Sequence, residues 1–244
     1  MICQLCGEQK KLIEAHVIPR SWHASLTSPS GPMLKLHKDP SVYPKASQTG
    51  EYDSQILCGC CDNKFSPWED YTRGILFKEL RPEMILSGPT GQRWYAIPEY
   101  EYAVTKLCLL SILWKMSVST RASFAEVRLG RFESQIKDMI LRKDPGDPTM
   151  FPTFIWRYED DVGSSTMIGT RRERLHDRNV YNIGLPGFVA VIKVDRQPVP
   201  IPFGPLVLSP DAPLVIGLRR MDQGNEWSFV TKIFENQQNR PRRA

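Results

Sequence analysis

Apolar and polar positions alternate over residues 11–19, K-L-I-E-A-H-V-I-P, and the same alternation returns over 50–58 in G-E-Y-D-S-Q-I-L-C. A period of two puts alternate side chains on one face of a strand, so both segments are expected to be strands that pair as a hairpin. The stretch between them, 20–49, is rich in Ser, Pro and Gly. It is long for a connection and has room for one small hairpin around 33–38. A helix is expected to start near residue 66, with Ser66 as N-cap, Pro67 in the first helical position and Glu69 completing a capping box. Residues 102–116, Y-A-V-T-K-L-C-L-L-S-I-L-W-K-M, are apolar on every side and read as a buried helix. The stretch 122–143 reads as an amphipathic helix with Phe132, Ile136, Met139 and Ile140 on one face. After a loop rich in proline and aspartate (143–152), strand-like runs follow at 153–158, 165–169, 179–185, 187–194, 204–208, 213–220 and 226–234. The tail 236–244 reads as disordered. The pattern predicts an α+β protein in two parts: a small unit over 1–75, then a larger body over 76–244 built of helices followed by an antiparallel sheet.

Composition changes this picture little. Hydrophobic residues make up 41% of the 244 residues and charged residues 24%, as in ordered globular proteins. The apolar run 102–116 contains Lys106 and Lys115 and is too short to span a bilayer, so no membrane anchor is expected. The opening M-I-C-Q-L-C-G-E-Q-K-K lacks the features of a secretory signal, and a cytoplasmic location is expected. The net charge of +5 is uneven: residues 1–70 hold 7 Lys+Arg against 8 Asp+Glu, and 71–244 hold 25 against 19. Any basic surface therefore belongs mostly to the second part.

The cysteines carry the strongest chemical signal. Cys3/Cys6 and Cys58/Cys61 form two C-x-x-C pairs, a spacing that lets a tight turn aim two thiolates at one tetrahedral ion. One structural Zn²⁺ is the economical reading. Reduced free thiols and disulfides are the alternatives, and in a chain without a secretory signal zinc is favoured over both. Cys60 sits inside the second pair and could substitute for a neighbour, while Cys108, within the apolar helix, is expected only to pack.

Two strands and a helix around such pairs, with His16 near the end of the first strand, resemble the zinc-containing HNH endonucleases, also known as His-Me finger or ββα-metal nucleases. The resemblance rests on A-H-V-I-P (15–19), which supplies His16 and Pro19, and on D-S-Q-I-L-C-G-C-C (53–61) followed by D-N-K, and it covers roughly the first 75 residues. It implies that His16 is the general base that takes a proton from the attacking water, a role suited to a neutral imidazole. It also implies that Asp53 orients His16, and that Asp62 holds a catalytic Mg²⁺ or Mn²⁺. Ala15 stands where the family has a metal-binding Asp. Glu14, two residues before His16 and so on its face of a strand, is the candidate replacement, with Asn63 and Glu69 behind it. A zinc-site or hydrogen-bonded structural role for His16 is the alternative. The chain is also similar to bacterial proteins of obscure role that pair a Ser/Ala-His-x-Ile-Pro stretch with L-C-x-x-C and an acidic residue, which suggests a phage-conflict or mobile-element setting.

Four arginines, Arg171, Arg172, Arg174 and Arg178, crowd the run 170–179 and are the best candidates to contact a nucleic-acid backbone, with a solvated turn as the alternative. His23 and His37 read as surface residues. The expected function is metal-dependent hydrolysis of DNA, with the second part positioning the nucleic acid. The alternatives are a non-catalytic zinc module that binds nucleic acid or a partner protein, and a component of a larger or homo-oligomeric assembly that zinc merely stabilises.

Overall fold

The computed structural model describes residues 1–23, 34–36, 45–46, 50–223 and 231. The chain opens with β1 (Ala15–His16), α1 (Arg20–His23), β2 (Leu34–Leu36), β3 (Lys45–Ala46) and β4 (Tyr52–Asp53). β1 and β4 pair antiparallel, Ala15 opposite Asp53 and His16 opposite Tyr52, and an isolated bridge joins Leu12 to Cys58. The two alternating segments thus meet as expected, but regular strand is confined to two residues of each. Asp53 ends β4 by accepting the Gln55 N–H at 2.9 Å, an Asx turn.

Next come α2 (Gly59–Asp62) and α3 (Ser66–Gly74). α3 starts at Ser66, and Phe65 stands in the N-cap position with helical backbone angles and no side-chain cap. The expected Ser66 cap is therefore corrected. The Phe65 N–H already bonds the Asp62 carbonyl at 3.0 Å, so the turn after α2 leads into α3 with no extended residue to cap it. Glu69, freed from a capping box, turns toward α4.

The remainder contributes β5 (Ile85–Ser87), β6 (Arg93–Ile97), α4 (Tyr102–Val118), α5 (Phe132–Arg142), β7 (Thr153–Tyr158), α6 (Asp161–Ser164), β8 (Thr166–Ile168), β9 (Arg171–Leu175), β10 (Arg178–Leu185), β11 (Phe188–Lys193) and β12 (Leu214–Arg219). Seven strands form one sheet in the order β5-β6-β12-β7-β11-β10-β9, antiparallel at every pairing but the parallel β12/β7. β8 joins β2 and β3 in a smaller sheet. The fold mixes helices with a mostly antiparallel sheet. Two expectations need correction, and one hairpin lies outside them. The run 204–208 is no strand: residues 201–206 form a 3-10 turn, because Pro202 and Pro205 cannot donate to a ladder. The β5–β6 hairpin was not anticipated. Within 122–143, a left-handed Gly130 (φ +55°) separates a short 3-10 turn from α5. The tail 236–244 and, apart from residue 231, the run 226–234 lie outside the described residues.

α4 is the axis of the core. Leu107, Leu109, Leu110, Ile112 and Leu113 are inaccessible or nearly so. One contiguous cluster of buried residues runs from Cys3 through α4 to Ile216 of β12, so the first 75 residues and the sheet share it. A second cluster, including Phe154, Val189 and Val191, lines the other face of the sheet. The two lysines of α4 are buried and paired. Lys106 Nζ donates to Tyr102 Oη and to the Asp147 carbonyl, both at 2.9 Å, and burial pulls its pKa down to about 8. Among the described residues no helix is long and apolar enough to cross a membrane. Leu110→Ala, which empties a fully enclosed position, is expected to cost about 2–5 kcal/mol of unfolding free energy in urea titrations.

Candidate metal centre and the adjoining histidine

Cys3/Cys6 precede β1 and Cys58/Cys61 follow β4, so antiparallel pairing brings the two C-x-x-C pairs to the same end of the ladder. The first lies on a turn closed by the Gly7 N–H to the Cys3 carbonyl (2.9 Å), with Gly7 in the left-handed region. The second starts α2, with Cys58 in its N-cap position and the Cys61 N–H returning to the Cys58 carbonyl at 3.0 Å. The sulfurs of Cys3, Cys6, Cys58 and Cys61 all lie within 4.8 Å of one another. A tetrahedron of about 2.3 Å Zn–S bonds has edges of about 3.8 Å, so sulfurs gathered this closely can share one ion. Burial raises the Cys3 thiol pKa, but backbone N–H groups of Cys6, Cys58 and Leu5 outweigh it and bring it to about 6, which favours the thiolate that a metal needs. Burial pushes Cys61 the other way. Cys60 is exposed outside the set, and Cys108 is packed in α4, its thiol pushed up to about 12 by burial. These four cysteines can hold a metal ion.

His16 is not a member of that set. It is half-buried, its ring 6.0 Å from that of Tyr52 across the ladder. Its Nε2 is enclosed without a hydrogen-bond partner among the described residues. Burial and then Arg20 lower its pKa, with Lys115 adding to the fall while Asp62 and Glu69 oppose it. Burial therefore favours the neutral imidazole. The half-buried Asp62 carboxyl is pushed up by burial, against Lys115 and His16. The charges of Asp62, Glu69 and Lys115 all act on His16. The lysine comes from α4: Lys115 Nζ donates to Glu69 Oε1 at 2.8 Å and to the His16 carbonyl at 3.0 Å. Sequence reading used Lys115 only as a charge in an apolar run and missed this role. Glu69 had been a secondary candidate.

Asp53 is placed differently from its expected role. Residues opposite one another in an antiparallel pair share a face, so Asp53 shares the face of Ala15, and His16 shares that of Tyr52. The Asp53 carboxylate accepts Ser119 Oγ (2.8 Å), the Thr120 N–H (2.6 Å) and Thr120 Oγ1 (3.0 Å), tying β4 to the end of α4. Orientation of His16 by Asp53 is therefore corrected. Burial would raise the Asp53 pKa, but the hydrogen bonds from Ser119, Gln55 and Thr120 hold it below the usual carboxylate value. A depressed folded-state pKa stabilises above the unfolded value, and that contribution disappears as pH falls through the folded value. Asp53→Asn is thus expected to destabilise at neutral pH by about 1–3 kcal/mol. The gap from wild type should shrink below about pH 4, measured by urea denaturation at several pH values.

Glu14 is exposed, and the acids whose charge reaches His16 are Asp62 and Glu69. Among the described residues only the four cysteines gather three or more metal-binding atoms within 4.8 Å. Asp62 and Glu14 do not form a closed site for Mg²⁺ or Mn²⁺. Arg171, Arg172 and Arg174 lie on β9, an edge of the large sheet, and Arg178 starts β10. Alternation splits them: Arg171 shares a face with Glu173, its ion-pair partner, while Arg172 and Arg174 take the opposite face. Arg172 donates to Asn179 Oδ1 at 3.3 Å and Arg178 to the Pro198 carbonyl at 3.0 Å. His23 is buried rather than exposed, covered by the left-handed Gly50, where any Cβ would lie 2.2 Å from its ring. His37 lies outside the described residues.

The fold and its cysteines define a protein of mixed α and β structure with a cluster of four cysteines that can hold a metal ion. No family model, no curated protein and no solved structure matches the chain.

Proposed function

We propose that the chain is a zinc-stabilised endonuclease of the HNH type that hydrolyses phosphodiester bonds in DNA, with His16 as general base. On this reading the β1/β4 pair and α3 form a ββα unit held by Zn²⁺ on Cys3, Cys6, Cys58 and Cys61. The observation that carries it is the position of His16: outside the cysteine set, with burial favouring its neutral form, and with its backbone carbonyl held by Lys115, the partner of Glu69. Four sulfur donors suit zinc better than harder cations. A neutral imidazole can take a proton from water as the water attacks phosphorus. Lys115 fixes the backbone of His16 and the carboxylate of Glu69, which holds the base in place. Mg²⁺ or Mn²⁺ is an expectation of the resemblance, and no step is assigned to either ion because the acids around His16 do not close a site.

The test is conversion of supercoiled plasmid to open circles by the purified protein with Mg²⁺ or Mn²⁺. His16→Ala should lower the rate about a hundred-fold or more, and Asp62→Asn should also impair it, with melting temperatures nearly unchanged. A second reading, a non-catalytic zinc module that binds nucleic acid or protein, is favoured by the buried Ala15 and by the Lys115 ammonium on Glu69. Absence of nicking with either metal, together with a normal melting temperature, decides for that reading.

A further inference from the structure

The outer face of the large sheet carries a groove of about 880 Å³ that shares no residue with the cysteine set or with His16 and the charges that act on it. Its floor is set by register. On three adjacent strands, Trp94 of β6, Gly217 of β12 and Trp156 of β7 stand directly opposite one another. A Cβ on Gly217 would lie 2.2 Å from a ring atom of Trp156, so only glycine lets that indole lie along the sheet. Both indoles are half-exposed. Two residues on from Gly217 and on the same face, Arg219 places its guanidinium 5.9 Å from the Trp156 ring centre and 5.0 Å from that of Tyr158. Its Nη2 donates to Tyr158 Oη at 3.0 Å. Arg93, paired with Glu159 at 2.6 Å, and Arg220, paired with Asp222, complete a cationic rim. The charged residues lining the groove are three arginines and one glutamate, and with Asp222 on Arg220 the arginines exceed the carboxylates by one.

We propose that this groove binds single-stranded nucleic acid, its bases stacking on Trp94 and Trp156 and its phosphates meeting Arg93, Arg219 and Arg220. Flat aromatic surfaces on the two strands that flank β12 accept any base, because every base has a π face, and guanidinium groups at the rim match the phosphates that connect the bases. A duplex keeps its base faces inside its own stack and gains only the charge attraction. The site stands independently of the hydrolytic reading.

The test is fluorescence anisotropy of labelled oligothymidylate with the full chain, in zinc-containing buffer free of Mg²⁺ and Mn²⁺. Binding is expected to quench tryptophan emission and to weaken as salt rises. Trp94→Ala should weaken binding about ten-fold. Arg93→Gln combined with Arg220→Gln, both at exposed positions, should weaken it several-fold and flatten the salt dependence. His16→Ala should bind as wild type does, which separates this site from the proposed catalytic one. Three results overturn the proposal: no binding by the folded chain, equal affinity for a duplex of the same length, or unchanged affinity in both variants with melting temperatures preserved. Preferential binding of a proline-rich peptide, which the same indoles could hold, also overturns it.

Discussion

Stripping the chain with a strong chelator under reducing conditions is expected to unfold residues 1–23 and 50–65, and Cys58→Ser is expected to do the same. Regular backbone pairing in this part of the molecule is sparse, although its apolar side chains join the common core. Its ladder has two paired residues on each side, with isolated bridges at Ile2–Gln9 and Leu12–Cys58. A structural zinc in such a setting contributes on the order of 10 kcal/mol, more than short strands of this kind can supply. The loss should spread, because Leu5, Leu12, Ile56 and Leu57 belong to the same buried cluster as α4. Tryptophan emission should report it, since Trp22 is fully buried with its ring 5.6 Å from Phe77. Elemental analysis should give one zinc per chain, and Cys60→Ser, at an exposed position outside the site, should change neither zinc content nor melting temperature. A Cys58→Ser protein with an unaltered denaturation midpoint, or a native protein without zinc, would refute this account.

Lys115→Met should be the second most damaging change. Lys115 is 1% exposed and its partner Glu69 is 17% exposed, so the substitution leaves a largely buried carboxylate and the His16 carbonyl without their donor. Removing one member of a buried pair costs about 3–5 kcal/mol, mainly through the charge left behind. The second change Glu69→Leu should therefore restore part of the loss, and a double-mutant cycle in urea measures the coupling. Lys115 also helps to depress the His16 pKa. In the variant that pKa should rise, and the acid limb of any nicking profile should move to higher pH with it. If the single variant is as stable as wild type, or the double variant is no better than the single, the ion pair does not hold α3 to α4.

How much was legible in the sequence depended on how local the causes were. α4 could be read from residues 102–116 because apolar side chains on every side admit only a buried helix, and the structure buries it. The strands over 153–158 and 187–194 were likewise visible as apolar runs with turn residues at their ends. The β5–β6 hairpin escaped because Ile85–Ser87 is three residues long and offers no period to count. The 3-10 turn at 201–206 was misread in part because leucine and valine in 204–208 were given more weight than Pro205.

The candidate site divides along the same line. The two C-x-x-C spacings and the offset of His16 were written in the chain, because a tight turn fixes where two neighbouring thiols point whatever surrounds them. The partner of Asp53 could not be read in this way. Strand register decides which face a residue takes, and it turned Asp53 toward Ser119 and Thr120, 66 and 67 residues further along the chain. The cation beside His16 was equally hidden, since Lys115 reaches it across 99 residues of sequence through the packing of α4. Local spacing therefore determined the cysteine cluster, the buried helix and most of the strands. Tertiary structure alone decided which charges surround His16 and which indoles face one another across Gly217, because both depend on contacts between segments that no local period relates.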